Sequence, residues 1–250
     1  MFSLLEGKRH IKPSSFCRTS AIVAPIVAVC LQVAGCAASD RGASPPAPAI
    51  KWSIAANQSD AAVIDFQFPA PQDAHGGQVR KAEGWIVLDG NRQDPCGFFA
   101  VNIADVDMGD PDLTRNVQYA RELLHAEAHP RATYTVKSIV NGDRIAHAML
   151  GAGCVPGPGA WPSVEARLLG DFELKGVSVP LEVAAEIECV QEAGGEPHLL
   201  MTAEFALDSL NRTFGITGPG GADAAGDRLL FNCRFVFTPV GGELLTAKKP

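Results

Sequence analysis

Two histidines, His125 and His129, lie four residues apart in the sequence, with Glu127 between them. In a helix this spacing would bring both imidazoles to one face, and imidazole and carboxylate groups are common ligands of zinc. A zinc site needs a third protein ligand, and none lies near this group at a typical spacing. Pro130 also ends any helix directly after His129. The pattern therefore favours a solvated helix end, where histidine interacts well with the helix dipole, over a metal site.

The cysteine with the clearest chemistry is Cys36. It follows a basic segment and an apolar stretch at residues 21–34 that is too short to span a bilayer as a helix. The sequence VAGC that ends at Cys36 resembles the lipobox of bacterial lipoproteins, whose cysteine is acylated and becomes the first residue of the mature protein. We therefore predict lipidation of Cys36, with an ordinary signal peptide cleaved nearby as the alternative. Because Ala37 rather than Asp follows, the resemblance to Gram-negative lipoproteins implies the outer membrane.

Four further cysteines follow Cys36, and an exported protein is free to pair them. Cys96 and Cys154 lie in segments rich in Gly and Pro, where a disulfide would restrain a loop. Cys189 and Cys233 have the apolar parity of predicted strands, so they are expected to be small buried residues. Four cysteines allow three pairings. We predict a Cys96–Cys154 disulfide, with Cys189–Cys233 as the competing pair.

The overall charge and the absence of catalytic motifs narrow the function further. The chain carries a formal net charge of −7, and its leader is basic, so the remainder is still more acidic. This balance argues against binding nucleic acid or anionic lipid through a basic surface. The sequence contains no Gly-x-Ser-x-Gly elbow, phosphate loop or dinucleotide fingerprint. We therefore predict that the protein is not an enzyme, and that it has no catalytic residue, no bound metal and no required cofactor.

A long antiparallel hairpin is predicted at residues 163–190. Apolar residues alternate with polar ones up to Leu174, and the parity of the alternation changes across Lys175-Gly176. A change of parity across two residues is what a two-residue hairpin loop produces, so Leu174 should pair with Val177. The next pairs inward on the same face are then Phe172–Val179, Gly170–Leu181 and Leu168–Val183.

Similar alternation predicts strands along most of the chain after the leader. Their predicted ranges are 64–68, 84–89, 98–106, 131–140, 144–150, 199–210 and 228–240. With the two arms of the hairpin these make about nine strands, and their short connections favour antiparallel pairing. A single helix is predicted at residues 112–126, because Asp110 is a good N-cap, Pro111 suits the first turn, and apolar residues then recur at helical spacing.

Three segments in this framework carry a recognisable family pattern. Residues 105–139 resemble a strand, an acidic-glycine turn, an Arg-containing helix and the motif P-x-x-x-F/Y-x-S. The sequence GDFELKGVSVPLEV at 170–183 resembles G-x-L-x-x-x-G-V-x-x-P-x-x-L, and FALDSLNRTFGI at 205–216 resembles I-x-R-x-x-F-G-I. Their order resembles that of the YceI-like family of polyisoprenoid-binding periplasmic proteins. The resemblance implies an all-β fold with one helix, an extended antiparallel, lipocalin-like β-barrel of about eight strands. It also implies an apolar tunnel for an isoprenoid chain or quinone.

The residues predicted to line this tunnel share the apolar parity of their strands. They are Phe66, Phe99, Tyr134, Leu168, Gly170, Phe172, Leu181, Val183, Phe205, Phe231 and Phe235. Small residues on the same faces favour a narrow cavity, although they could equally accommodate bulky neighbours from other strands.

The predicted organisation has four parts. Residues 1–35 are a lipoprotein signal peptide, 36–50 the lipidated cysteine with a flexible Ala/Ser/Pro tether, 51–241 the barrel, and 242–250 a C-terminal tail. The predicted function is an envelope lipoprotein that binds an isoprenoid lipid or quinone in a carrier, storage or stress role. The alternatives are a cell-envelope enzyme of unidentified hydrolytic activity and a structural barrel with a filled core. The oligomeric state is left open, with a dimer as one option.

The anchor prediction is tested by the substitution Cys36→Ser. We expect this variant to move from the membrane fraction to the soluble periplasm, because the thioether to the lipid requires the cysteine sulfur. Fractionation after a high-salt wash measures the distribution. A variant that still sediments with the membranes in high salt would contradict lipidation at Cys36.

Overall fold

A computed structural model of the chain describes residues 50–56, 58, 60–68, 75–88, 95–142, 144–145, 163–191, 195–217 and 227–240. All of them belong to the compact unit Pro45–Pro250. The strands are β1 (Ile50–Ile54), β2 (Ala62–Phe68), β3 (His75–Val79), β4 (Glu83–Leu88), β5 (Gly97–Asn102), β6 (Val106–Asp107), β7 (Arg131–Val140), β8 (Val164–Leu174), β9 (Val177–Val190), β10 (His198–Asp208) and β11 (Arg228–Pro239). The helices that lie wholly within the described residues are α1 (Pro111–Tyr119) and the short α2 (Leu210–Phe214), and a 3-10 turn spans Ile103–Asp105.

Antiparallel pairing closes the sheet into a barrel. The strands pair in the order β1-β4-β5-β7-β8-β9-β10-β11, and β11 pairs again with β1. Three more strands extend this wall. Strand β2 pairs with β11, β3 pairs with β2, and β6 pairs with β3. Val236 of β11 bonds to both Ala55 and Ala61, so the ladder continues from β1 to β2 across the interruption between them. The predicted lipocalin-like, eight-stranded antiparallel barrel is confirmed.

The central hairpin has the register predicted from its parity. Leu174 pairs with Val177, and the predicted pairs farther along the two arms all form. Lys175 and Gly176 have φ values of +52° and +74°. Positive φ at both central residues is the geometry of a type I′ turn, whose twist matches that of the flanking strands.

Strand β9 separates from β10 near the hairpin loop. The two strands pair only as far as Ala184 and Glu204, so β9 from Val177 to Val183 has a strand on one side only among the described residues. Pro180 lies in this free stretch, where its missing N–H removes no bond from the ladder. Helix α2 lies beside this part of the sheet, and its Phe214 packs edge-on against Phe172 at 6.2 Å between ring centroids.

The barrel interior is packed at one end. Trp52, Ile86 and Phe237 lie there on the neighbouring strands β1, β4 and β11 and belong to the buried core. Each of the three is at most 1% exposed. Burying these large apolar side chains stabilises the fold.

Helix α1 is shorter than predicted. It ends at Tyr119 instead of continuing to residue 126, and turns follow it. The buried side chain of Gln118 donates to the carbonyl oxygens of Ala104 and Val106, which holds the end of the helix against the wall. His125 then adopts a φ of +52°, which no helix continues through.

Three other predictions about secondary structure are wrong. The strand predicted at residues 98–106 ends at Asn102, and the 3-10 turn Ile103–Asp105 separates it from β6. The strand expected to run to residue 210 ends at Asp208, and Ser209, with a φ of +57°, leads into α2. Arg144 and Ile145, which were predicted to begin a strand, are helical, and residues 146–150 lie outside the described residues. Within the described ranges, no helix is long and apolar enough to cross a bilayer.

Gly170 is required by the contact between β7 and β8. The register between these strands shifts between Val136 and Ser138, which marks a bulge beside Gly170. A Cβ at this glycine would overlap the carbonyl oxygen of Thr135 and lie 3.0 Å from the Tyr134 ring. The close approach of the two backbones therefore leaves no room for a side chain.

We expect Gly170→Ala to lower the free energy of unfolding by about 3 kcal/mol, because a backbone atom cannot move aside as a flexible side chain can. The matched control is Gly142→Ala, whose Cβ would lie 3.4 Å from Ile139 in ordinary contact. Urea unfolding of both variants measures the difference. Equal stabilities of the two variants would contradict the close approach at Gly170.

Candidate functional site

The half of the barrel opposite the packed end contains a cavity of about 380 Å³. This volume lies within the range of small-molecule sites in proteins. Its walls come from most of the barrel strands, and its cap comes from α1, from residues 122–124 and from residues 216–217. The fully filled core that was one alternative at the sequence level is therefore wrong for this half of the barrel.

Most of the residues predicted to line a tunnel do line this cavity. They are Phe66, Phe99, Tyr134, Leu168, Phe172, Val183, Phe205, Phe231 and Phe235. Gly170 and Leu181 have the expected parity but do not reach the lining. The Tyr134 ring lies against Gly170, and its hydroxyl reaches the carbonyl oxygen of Leu181, so this side chain covers both residues.

Tyr134 joins three strands through its hydroxyl group. The hydroxyl is shared between the carbonyl oxygens of Leu168, at 2.8 Å, and Leu181, at 3.1 Å. Burial raises the pKa of Tyr134 far above its ordinary value. The phenol therefore stays protonated, with its proton engaged by the backbone, and it is poorly placed for acid–base chemistry.

Aromatic rings form one wall of the cavity. Phe205 stacks on Phe231 at 4.6 Å between centroids, and Phe66 packs on Phe231 at 6.2 Å. Deeper in the barrel, Phe99 contacts Phe235 at 5.2 Å. The rings offer an apolar surface with no hydrogen-bonding group, so this wall suits a hydrocarbon chain.

The mouth of the cavity lies at the cap. Asn116 and Glu122 line the cavity and are nevertheless exposed to solvent. The backbone N–H of Thr217 donates to the carbonyl oxygen of Glu122 at 3.0 Å, so two segments of the cap are bonded together. The parity of strands could not reveal these residues, because they lie in turns and on a helix.

Lys175 at the hairpin loop fixes the same two segments. Its Nζ donates to the carbonyl oxygens of Arg121 and Gly215 at 3.0 and 3.2 Å. Burial lowers the pKa of Lys175, and the nearby Glu122 opposes this shift. The loop of the central hairpin therefore anchors the cap over the cavity.

Neither of the two disulfide pairings considered for the cysteines is present. Cys96 is a buried thiol whose Sγ donates to the Val136 carbonyl oxygen at 3.6 Å, so the predicted Cys96–Cys154 disulfide is wrong. Cys96 directly precedes β5 and is fully buried, and its backbone bonds to Val87 and Val136 continue the ladder. Cys189 is disulfide-bonded, but Cys233 is a thiol, so the competing pair is wrong too. Cys154 lies outside the described residues.

Reactive groups around the cavity are few. Cys233 lines it, and burial raises the pKa of its thiol to about 12, which keeps it protonated and a poor nucleophile. His125 and His129 pack edge-on at 5.8 Å between ring centroids. Among the described residues, no group of three His, Cys, Asp or Glu side chains is placed to hold a metal ion. The predicted lipidation site, Cys36, lies outside those residues.

Residues 52–237 match the YceI-like domain. The chain belongs to the YceI-like family. The family expected from the three sequence segments is confirmed, because the match runs from Trp52 in β1 to Phe237 in β11.

Solved structures show the same fold as this YceI-like barrel. BcnA of Burkholderia cenocepacia is 12% identical with a TM-score of 0.51, and the match covers 71% of this chain and 96% of that one. A polyisoprenoid-binding domain from Saccharophagus degradans, implicated in plant cell wall breakdown, is 11% identical with a TM-score of 0.51, covering 77% and 98%. At these identities the likeness concerns the fold alone. None of the curated proteins compared with this chain matches its sequence.

The reactivity of the cysteine residues tests the burial and the thiol or disulfide state assigned to each of them. In the native protein at pH 8, we expect Cys233 to react slowly with a maleimide, because it is buried and its thiol is protonated. In urea without reductant, Cys96 and Cys233 should react, whereas Cys189 should react only after reduction. Peptide mapping by mass spectrometry measures each site. Rapid labelling of native Cys233, or alkylation of Cys189 without reductant, would contradict the assignments.

Proposed function

We propose that the protein binds an isoprenoid lipid or an isoprenoid quinone by enclosing its chain in the cavity. The observation that carries this proposal is the lining, which consists almost entirely of aliphatic and aromatic side chains. Such a lining offers a polar ligand few hydrogen bonds, whereas it stabilises a hydrocarbon ligand by burying its apolar surface. The polyisoprenoid-binding domain that shares the fold supports the same class of ligand.

The shape of the site suits a slim, branched chain. The cavity runs between the stacked Phe205–Phe231 pair and the deeper Phe99–Phe235 pair, so apolar contacts follow its length. Each buried methylene contributes about 0.8 kcal/mol, so a few isoprene units account for tight binding without any reactive group. Small residues such as Ala132 and Ala203 leave room beside the rings.

The cellular role that we propose rests on the leader. A lipidated Cys36 and the tether that follows it would hold the barrel at the periplasmic side of the outer membrane. Isoprenoid lipids and quinones are membrane components, so an anchored barrel with an apolar cavity fits a carrier, storage or stress role. The protein is a binding protein in this proposal, because Tyr134 and Cys233, the titratable groups inside the cavity, are both held protonated.

Blocking the cavity tests the proposal. Ala203 is buried and lines the cavity, so Ala203→Phe should fill part of it and reduce the isoprenoid that co-purifies by about fivefold or more. The matched control is Ala184→Phe, because Ala184 is exposed on the outer face of the neighbouring strand. Organic extraction followed by mass spectrometry, on protein shown to be folded by circular dichroism, measures the bound lipid.

The outcomes separate clearly. Lipid in the wild type and in Ala184→Phe, with a large loss in folded Ala203→Phe, supports the cavity as the binding site. Equal lipid in both variants would place the ligand elsewhere. A wild-type protein that neither contains an isoprenoid nor takes one up from added detergent micelles would overturn the function.

A further inference from the structure

We propose that the mouth of the cavity selects isoprenoid lipids with an uncharged head group and rejects phosphorylated ones, and that Glu122 determines this choice. The inference rests on the proposed function and adds the class of head group. It follows from where polar groups lie around the cavity.

Among the described residues, the deep lining offers few hydrogen-bonding groups to a polar head group. The proton of the Tyr134 hydroxyl is engaged by the carbonyl oxygens of Leu168 and Leu181. The remaining deep lining is almost wholly hydrocarbon, and a buried polar group without a partner is costly. A lipid that fills the cavity with its chain must therefore keep its head at the mouth.

The mouth presents two neutral side chains and one charged side chain. Asn116 and Thr217 can donate and accept hydrogen bonds, which suits a hydroxyl, a quinone carbonyl or an amide. Glu122 is the only charged residue among the described residues that line the cavity. A hydroxyl head can donate to its carboxylate, whereas a phosphate, with a charge of about −1.5 to −2, is repelled by it.

The backbone of Glu122 is fixed at this position. Its carbonyl oxygen accepts from the Thr217 N–H, and the preceding carbonyl, of Arg121, accepts from Lys175 Nζ. Lys175 interacts electrostatically with Glu122 but does not line the cavity. Its ammonium group donates to two backbone carbonyl oxygens. Glu122 is therefore the charged side chain that a head group meets in the lining, since no Lys or Arg among the described residues lines the cavity.

The test compares two probes with the same 20-carbon chain, geranylgeraniol and geranylgeranyl monophosphate. Displacement of Nile red, a neutral dye, measures both affinities in wild-type protein. We expect the alcohol to bind about tenfold more tightly at low salt, with the gap narrowing at high salt because the exposed carboxylate is screened. Glu122→Gln should raise the affinity for the phosphate relative to that for the alcohol and so narrow the gap between the two probes, and Glu122→Lys should favour the phosphate.

The matched control is Glu127→Gln, which removes the same charge from an exposed residue of the same segment that does not line the cavity. This variant should discriminate as the wild type does. Equal binding of both probes to the wild type overturns the selection while the proposed function stands. Discrimination that survives Glu122→Gln overturns the role of Glu122. Failure of both probes to bind overturns the proposed function, and this inference with it.

Discussion

The closing of the hydrogen-bonded sheet at β11 is the constraint on which the rest of this structure depends. One strand pairs with β10 on one side and with both β1 and β2 on the other, so the wall of the barrel has no long free edge there. A closed wall satisfies the backbone and leaves the interior to side chains alone. The chain fills one end of that interior, around Trp52 and Phe237, and leaves the other end open as a cavity.

The packed core and the cavity thereby occupy different ends of the same barrel. The packed end buries large apolar side chains such as Trp52 and Phe237, whereas the cavity end keeps space that a stability-optimised core would fill. The cavity end is closed by other means: the Tyr134 hydroxyl ties β7 to its neighbours, and Lys175 bonds the cap from the loop of the central hairpin. Where β9 leaves β10, Pro180 occupies the free edge of β9, and Phe214 of α2 packs on Phe172 of the neighbouring β8.

The titratable groups of the cavity are neutral in its interior and charged at its rim. Its deep titratable groups, Tyr134 and Cys233, have raised pKa values and are therefore neutral at physiological pH. Among the described residues of the lining, the one charged side chain is Glu122, at the rim. Affinity for a hydrocarbon chain and discrimination among head groups can therefore reside in different parts of one site, because the first depends on buried area and the second on exposed charge.

The sequence alone determined the barrel class, the family, the register of the central hairpin and most of the cavity lining, because the parity of a strand is a local, period-two property. It did not reveal that Tyr134 covers Gly170 and Leu181. It placed Cys96 in a loop disulfide, and it missed the cap residues such as Glu122. Those features depend on which distant segment approaches each residue, and only the tertiary structure decides that, since closing the barrel and folding the cap bring together parts of the chain that no local pattern links.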